Sequence, residues 1–171
     1  MGRSKVELFA PHVVAAAGTV FDDVVAVQRY GGEALAGVTT IFEEPHPDEA
    51  PLFGVVRALA DAASRGERHA FVLAVDYPHI TPAVLAYLRE RVERSAALLV
   101  APRWDDKLQM LCAGYDVALR PRLDARIAAG RLDLRGLVDD VETELIDEAE
   151  LRARFEGEPL RNVNRPEELE G

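Results

Sequence analysis

The sequence predicts a three-layer α/β domain, a mostly parallel sheet with helices on both faces. Three observations carry this reading. Short apolar runs alternate with stretches of helical periodicity, the pattern of strands joined by crossover helices. Of the 171 residues 49% are hydrophobic but only 6% aromatic, so Ala, Val and Leu fill the interior, as strands covered on both faces require. The length is enough for one core, and residues 1–171 are expected to form a single domain.

Taken in order, residues 6–19 read as a helix, and only then does the first visible strand appear, at 24–28. Parallel α/β domains usually open on a strand, so the expectation is that a first strand is missing and the domain is N-terminally truncated. Further strands are expected at 38–43, 71–76, 98–102 and 110–115, with a weaker one at 141–146. Between them Val55, Val56, Leu59, Ala60 and Ala63 make one face of a helix at 52–65. Thr81 is a good N-cap for a helix at 82–94 with Pro82 at its first position; Val84, Leu85, Leu88 and Val92 keep a period of 3.6. A helix at 116–129 stops at Gly130, and a short one fits 132–139. The tail from 156 to 171 is polar, with an ordered loop at Asn162-Val163-Asn164 and a helix start at Pro166.

Charge narrows the partners. The formal net charge is −10 and the pI about 4.9, whereas a general polyanion binder shows a basic patch, so nucleic acid is excluded as partner. A small phosphorylated ligand needs only a few local cations and N–H groups and stays in play. No apolar run approaches the roughly 20 residues of a membrane span, and the N-terminus lacks the form of a signal peptide; the expected location is cytoplasmic. The single cysteine, Cys112, cannot form an intrachain disulfide and reads as an inert core residue.

In open α/β sheets ligands gather at the carboxyl ends of the strands. Asp76 follows the apolar run Phe71-Val72-Leu73-Ala74-Val75 and precedes Tyr77-Pro78. A carboxylate there is either a magnesium ligand, since that ion takes one or two carboxylates and completes its shell with water and substrate phosphates, or a turn residue before proline. Glu43-Glu44 ends the preceding strand, as a site or as a solvated loop. Gly2-Arg3-Ser4-Lys5 could bring N–H groups and an ammonium onto phosphate, or be surface. Pro51-Leu52-Phe53-Gly54 opens a helix, and Gly54 leaves room either for a flat base or for close helix–sheet packing. His12, His46, His69 and His79 have no metal-ligand spacing and no nucleophile partner.

In sequence order these pieces resemble the molybdenum cofactor guanylyltransferases, the MobA-like nucleotidyltransferases. The carriers are Met1-Gly2-Arg3-Ser4-Lys5, Pro51-Leu52-Phe53-Gly54, Val75-Asp76-Tyr77-Pro78, Leu111-Cys112-Ala113-Gly114-Tyr115 and Asn162-Val163-Asn164-Arg165-Pro166-Glu167-Glu168-Leu169. The resemblance spans the chain and implies a three-layer, Rossmann-like nucleotidyltransferase fold that couples GTP to molybdopterin and releases pyrophosphate. It implies magnesium on Asp76, GTP phosphate on Lys5 and Gly2, guanine bordered by Pro51, Leu52 and Gly54, Glu43 near the nucleotide, and Asn162 and Asn164 on the molybdopterin side. Molybdoenzymes or other cofactor-biosynthesis proteins are implied as partners. Three departures stand out. The family opens with a strand and a Leu-Ala-Gly-Gly-x-Ser-x-Arg loop before Met-Gly; Ser4 replaces an Asp; Met110 stands where a Pro is expected, after Gln109 in place of a His. Two readings follow: a start assigned too late, or a catalytically inactive homologue that binds the cofactor or assists molybdoenzyme assembly.

Overall fold

The computed structural model describes residues 5–163, the Lys5 side chain excepted. Helix α1 (Lys5–Gly18) buries Phe9, Ala10, Val13, Ala16 and Ala17, one stripe at helical spacing. Strands β1 (Val25–Gln28) and β2 (Thr39–Phe42) pair in parallel. Helix α2 (Pro51–Ser64) then crosses to β3 (His69–Leu73), and α3 (Pro82–Arg94) to β4 (Leu99–Trp104). Thr81 caps α3 as expected, its hydroxyl accepting the Val84 N–H at 3.3 Å. A short β5 (Lys107–Leu108) leads to β6 (Cys112–Asp116). A 3-10 turn (Val117–Leu119), α4 (Arg120–Ala128), α5 (Leu137–Asp140), β7 (Thr143–Ile146) and α6 (Glu148–Arg154) complete the order.

The expected mostly parallel sheet is instead mixed. β6 lies between β3 and β4 and runs antiparallel to both, while β7 is parallel to β4 on its other side. The reason is chain length. A parallel connection needs a crossover of a dozen or more residues, and only residues 103–109 separate the two predicted strands. The chain therefore turns back at Asp105-Asp106, both at positive φ (49° and 56°), the conformation of a tight hairpin turn. Other boundaries move as well. β3 starts earlier than expected and ends at Leu73, so Asp76 sits in the turn beyond the strand. The helix expected at 116–129 begins as a 3-10 turn, and β5 and α6 had no sequence signal strong enough to predict them.

Helices cover both faces of the sheet, as predicted. On one side Val13, Leu85, Leu88, Trp104, Leu151 and Leu160 form a core under α1, α3 and α6. On the other, Leu52, Leu59, Leu119, Leu123 and Leu137 form a second under α2 and α4. Successive residues of β4 point to opposite cores, Leu99 and Ala101 to one and Val100 to the other. Gly114 lets α3 lie close on β6: a Cβ there would fall 2.7 Å from Val92 Cγ1 and closer still to Cγ2. Cys112 is fully buried, which pushes its thiol far above the usual range and makes it an inert core residue.

Among the described residues the strands form two separate sheets, β1-β2 and the larger one edged by β3. Helix α2 packs on both β1 and β3 and spans the space between them. At its C-terminal end Arg65 pairs with Asp23 at 3.4 Å, just before β1. The starts of β1 and β3 therefore lie near the same end of α2, with a slot between the strands.

Candidate functional site at the carboxyl edge of the slot

The slot is a cavity of about 790 Å³. Four residues singled out from sequence line it: Glu43, Pro51, Gly54 and Asp76, together with Arg29. The fold brings them together simply. β1 and β2 are parallel, so Arg29, just past β1, and Glu43, just past β2, emerge at one edge. Glu43 N–H donates to the Gln28 carbonyl at 2.8 Å, extending the ladder to that point. α2 begins beside them with Pro51, which has no N–H, at its first position and no side-chain cap on Ala50; the Phe53 N–H donates to the Ala50 carbonyl at 3.2 Å, and the positive end of the helix faces the edge.

Gly54 and Glu43 are in contact. A Cβ on Gly54 would stand 3.1 Å from Glu43 Oε1, so the missing side chain is what admits the carboxylate against the helix backbone. Burial raises the Glu43 pKa above its ordinary 4.5, and the Arg29 charge opposes the rise. Arg29 in turn pairs with Glu49 at 2.6 Å. Leu52 is placed differently: its side chain is fully buried in the α2–α4 core, so only its backbone can face a ligand.

Asp76 lies on the other side of the slot's edge, half-buried in the turn after β3. Its carbonyl accepts the Val163 N–H at 2.8 Å. That bond joins the tail to the edge, and the fully buried Leu160 and Val163 anchor it. Asn162, next to Val163, hydrogen-bonds the Tyr77 hydroxyl. The sequence reading brought Asp76 and Asn162 to one site, and the structure places their segments side by side. Gly2 and Asn164 lie outside the described residues, as does the side chain of Lys5, which opens α1.

Sequence reasoning missed two further features. Arg29 follows β1 directly, and the rule that singled out Glu43 would have found it. Tyr77 and Gln109 are both buried; the Tyr77 hydroxyl donates to Gln109 Oε1 at 3.0 Å, while Gln109 Nε2 reaches the Trp104 carbonyl at 3.0 Å and that of Lys107 at 3.2 Å. This network fixes the turn carrying Asp76 to the β4–β5 hairpin. Burial foremost pushes the Tyr77 phenol upward, so it stays protonated. A pairing over 32 residues leaves no local signal.

Among the described residues no three His, Cys, Asp or Glu side chains gather into a metal cage. The edge offers one carboxylate on the β3 side, Asp76. That donor set fits magnesium arriving with a substrate triphosphate, because this ion keeps most of its shell in water and phosphate oxygens. It does not fit a structural zinc site, which takes four protein ligands. No helix among the described residues is long and apolar enough to cross a membrane.

Several solved structures share this architecture. A protein from Aquifex aeolicus superposes with a TM-score of 0.77 at 23% identity, over 94% of this chain and 81% of that one. The molybdopterin-guanine dinucleotide biosynthesis protein A of Archaeoglobus fulgidus follows at 0.68 and 22%, over 96% and 79%. The 2-C-methyl-D-erythritol 4-phosphate cytidylyltransferase of Thermus thermophilus gives 0.66 at 18%, over 98% and 86%. These likenesses show the fold alone, an α/β fold shared with nucleotidyltransferase structures. Residues 7–144 match the family described as the MobA-like NTP transferase domain. The "probable molybdenum cofactor guanylyltransferase" of Mycobacterium tuberculosis is 31% identical over 172 residues, 96% of this chain and 82% of the relative. That of Mycolicibacterium paratuberculosis is 32% identical over 177 residues, 99% and 86%. The chain belongs to the MobA-like NTP transferase family, beside its molybdenum cofactor guanylyltransferases.

Proposed function

We propose that the chain transfers GMP from GTP to molybdopterin, forming the guanine dinucleotide cofactor, as a single magnesium-dependent domain. The observation that carries this is the meeting of Glu43, Gly54 and Asp76 on one cavity edge, in a chain matched along almost its whole length by guanylyltransferases. A phosphate oxygen of molybdopterin attacks the α-phosphorus of GTP; the bond from that phosphorus to the β-bridging oxygen breaks, and pyrophosphate leaves.

The protein's part is to position and neutralise. The guanine lies against the opening turn of α2, at Pro51, Gly54 and the Leu52 backbone, and Glu43 accepts hydrogen bonds from its N–H edge. Lys5 and Gly2 contact the phosphates, and Asn162 and Asn164 face the molybdopterin. Asp76 would hold the magnesium, which when bound neutralises phosphate charge. The place of action is the cytoplasm, with molybdoenzymes receiving the product.

The anchoring of the Asn162 segment to the Asp76 edge would serve equally a second reading, a cofactor-binding assembly protein that does not turn over GTP. Titration with GTP, with and without Mg²⁺, followed by a pyrophosphate-release assay with molybdopterin, separates the two. Catalysis predicts saturable Mg²⁺-dependent GTP binding and a fall in kcat of about 10²- to 10³-fold in Asp76→Asn, as for loss of one preorganised electrostatic contact. Molybdopterin binding without GTP binding would replace the first reading with the second.

A further inference from the structure

Gln109, Tyr77 and Asn162 form a chain of three polar side chains whose donors and acceptors can be assigned one after another. It starts at the buried Gln109, whose Nε2 lies 3.0 Å from the Trp104 carbonyl and 3.2 Å from that of Lys107. Only an NH2 group can face two carbonyl oxygens. The other end of the amide, 3.0 Å from the Tyr77 hydroxyl, is therefore Oε1 and can only accept. A phenol has one proton to give, so the buried Tyr77 donates it to Gln109. Burial raises the phenol, which keeps that proton. The Tyr77 oxygen is left with lone pairs alone, and the Asn162 amide that hydrogen-bonds it from the tail must offer an N–H. Asn162 is held within reach by its neighbour: the buried Val163 donates its backbone N–H to the carbonyl of Asp76, next to Tyr77, at 2.8 Å. Asn162 itself is exposed.

We propose that Tyr77 and Gln109 are positioning residues that fix the polarity of the Asn162 amide, Nδ2 toward Tyr77 and Oδ1 outward, toward the second substrate. Either end of an unrestrained asparagine amide can turn outward with almost no change of shape; the one-way relay from Gln109 removes that choice. An outward Oδ1 accepts hydrogen bonds and disfavours other acceptors. It therefore selects an N–H donor, of the kind a pterin ring carries, over a phosphate oxygen. The pterin assignment rests on the guanylyltransfer reading, whereas the amide polarity does not.

The test uses the full chain labelled with 15N. It has two asparagines and two glutamines, so four side-chain NH2 groups must be told apart, and Asn162→Ala and Gln109→Leu identify theirs by loss. The relay predicts one Asn162 Nδ2 proton shifted downfield in the native chain and returned toward its solvent-exposed position in Tyr77→Phe. Gln109→Leu leaves Tyr77 in place but lets its proton turn to Asn162, so the same signal moves part of the way. Unchanged Asn162 signals in either variant overturn the relay, whatever the activity. Steady-state kinetics then read the substrate. Asn162→Ala raises KM for molybdopterin about 3- to 10-fold, the worth of one neutral hydrogen bond, with kcat and the GTP KM near native. In the Tyr77→Phe background the same substitution adds less than about twofold, because an unfixed amide has already lost most of that contact. Additive effects, or equal rises in KM for both substrates, overturn the positioning role. A native chain that shows the relay signals but neither binds molybdopterin nor releases pyrophosphate overturns the pterin assignment together with the transfer reading, and the amide polarity stands.

Discussion

Strands β4 and β6 differ from β1 and β3 in one respect. In the first pair every residue but Arg103 is buried; in the second none is. Composition does not explain this, since Val-Ala-Val-Gln and His-Ala-Phe-Val-Leu are as apolar as Leu-Val-Ala-Pro-Arg-Trp. Position does. β4 and β6 have strand neighbours on both edges, whereas β1 and β3 face the slot on one. The burial of a strand is thus set by its neighbours as much as by its own side chains. The molecule has a closed half that holds stability and an open half that carries the site.

The contrast can be broken most directly by cutting the same kind of side chain in each half. Leu99→Ala in the closed half is expected to cost about 2–5 kcal/mol in urea unfolding, while Val27→Ala beside the slot costs about 1 kcal/mol or less. Equal costs would mean that the slot is as tightly packed as the core. Next in size is Gly114→Ala, expected to lose about 1–3 kcal/mol because its Cβ meets Val92. Adding Val92→Ala should recover part of that loss, and a cycle without coupling would reject the contact. Gln109→Leu leaves the buried Tyr77 hydroxyl without its acceptor and should cost about 1–3 kcal/mol. Because it loosens the turn bearing Asp76, it should also weaken any Mg²⁺-dependent GTP binding, whereas Gly114→Ala should not.

The smallest expected effect is in pH dependence, where the two halves have opposite signs. Glu150 in the closed half is held below its ordinary 4.5, first by the Tyr87 hydroxyl and then by Arg91. Its stabilisation is complete above 4.5 and is lost as pH falls through the lowered value. Glu43 is raised by burial, so the folded chain binds its proton more tightly than the unfolded chain does. Stability therefore declines as pH climbs from 4.5 through the raised value. Urea midpoints across this range should lose their acid-side fall in Glu150→Gln and their rise-side decline in Glu43→Gln. The same curve for both variants would show that the halves are not electrostatically distinct.

Much of this was legible in the primary structure because it is local. The helix at Pro82–Arg94 was readable from its cap and its periodicity, and β1 and β2 from short apolar runs. Glu43, Pro51, Gly54 and Asp76 were readable as candidates because ends of strands and starts of helices carry chemistry in such sheets. The antiparallel place of β6 was legible too, in the short 103–109 connection, but the apolar pattern of a doubly covered strand is the same in either direction. Leu52 looked like its neighbours until helix phase turned it into the core.

From sequence alone came the family, the layers and the acidic strand ends, since periodicity, caps and motifs act within a few residues of one another. Only the tertiary structure decided that Val163 ties the tail to the Asp76 carbonyl, that Gln109 braces Tyr77, and that β1 and β3 stand apart. Those depend on backbone hydrogen bonds and packing between segments far apart in the chain, and such bonds leave no trace in either segment on its own.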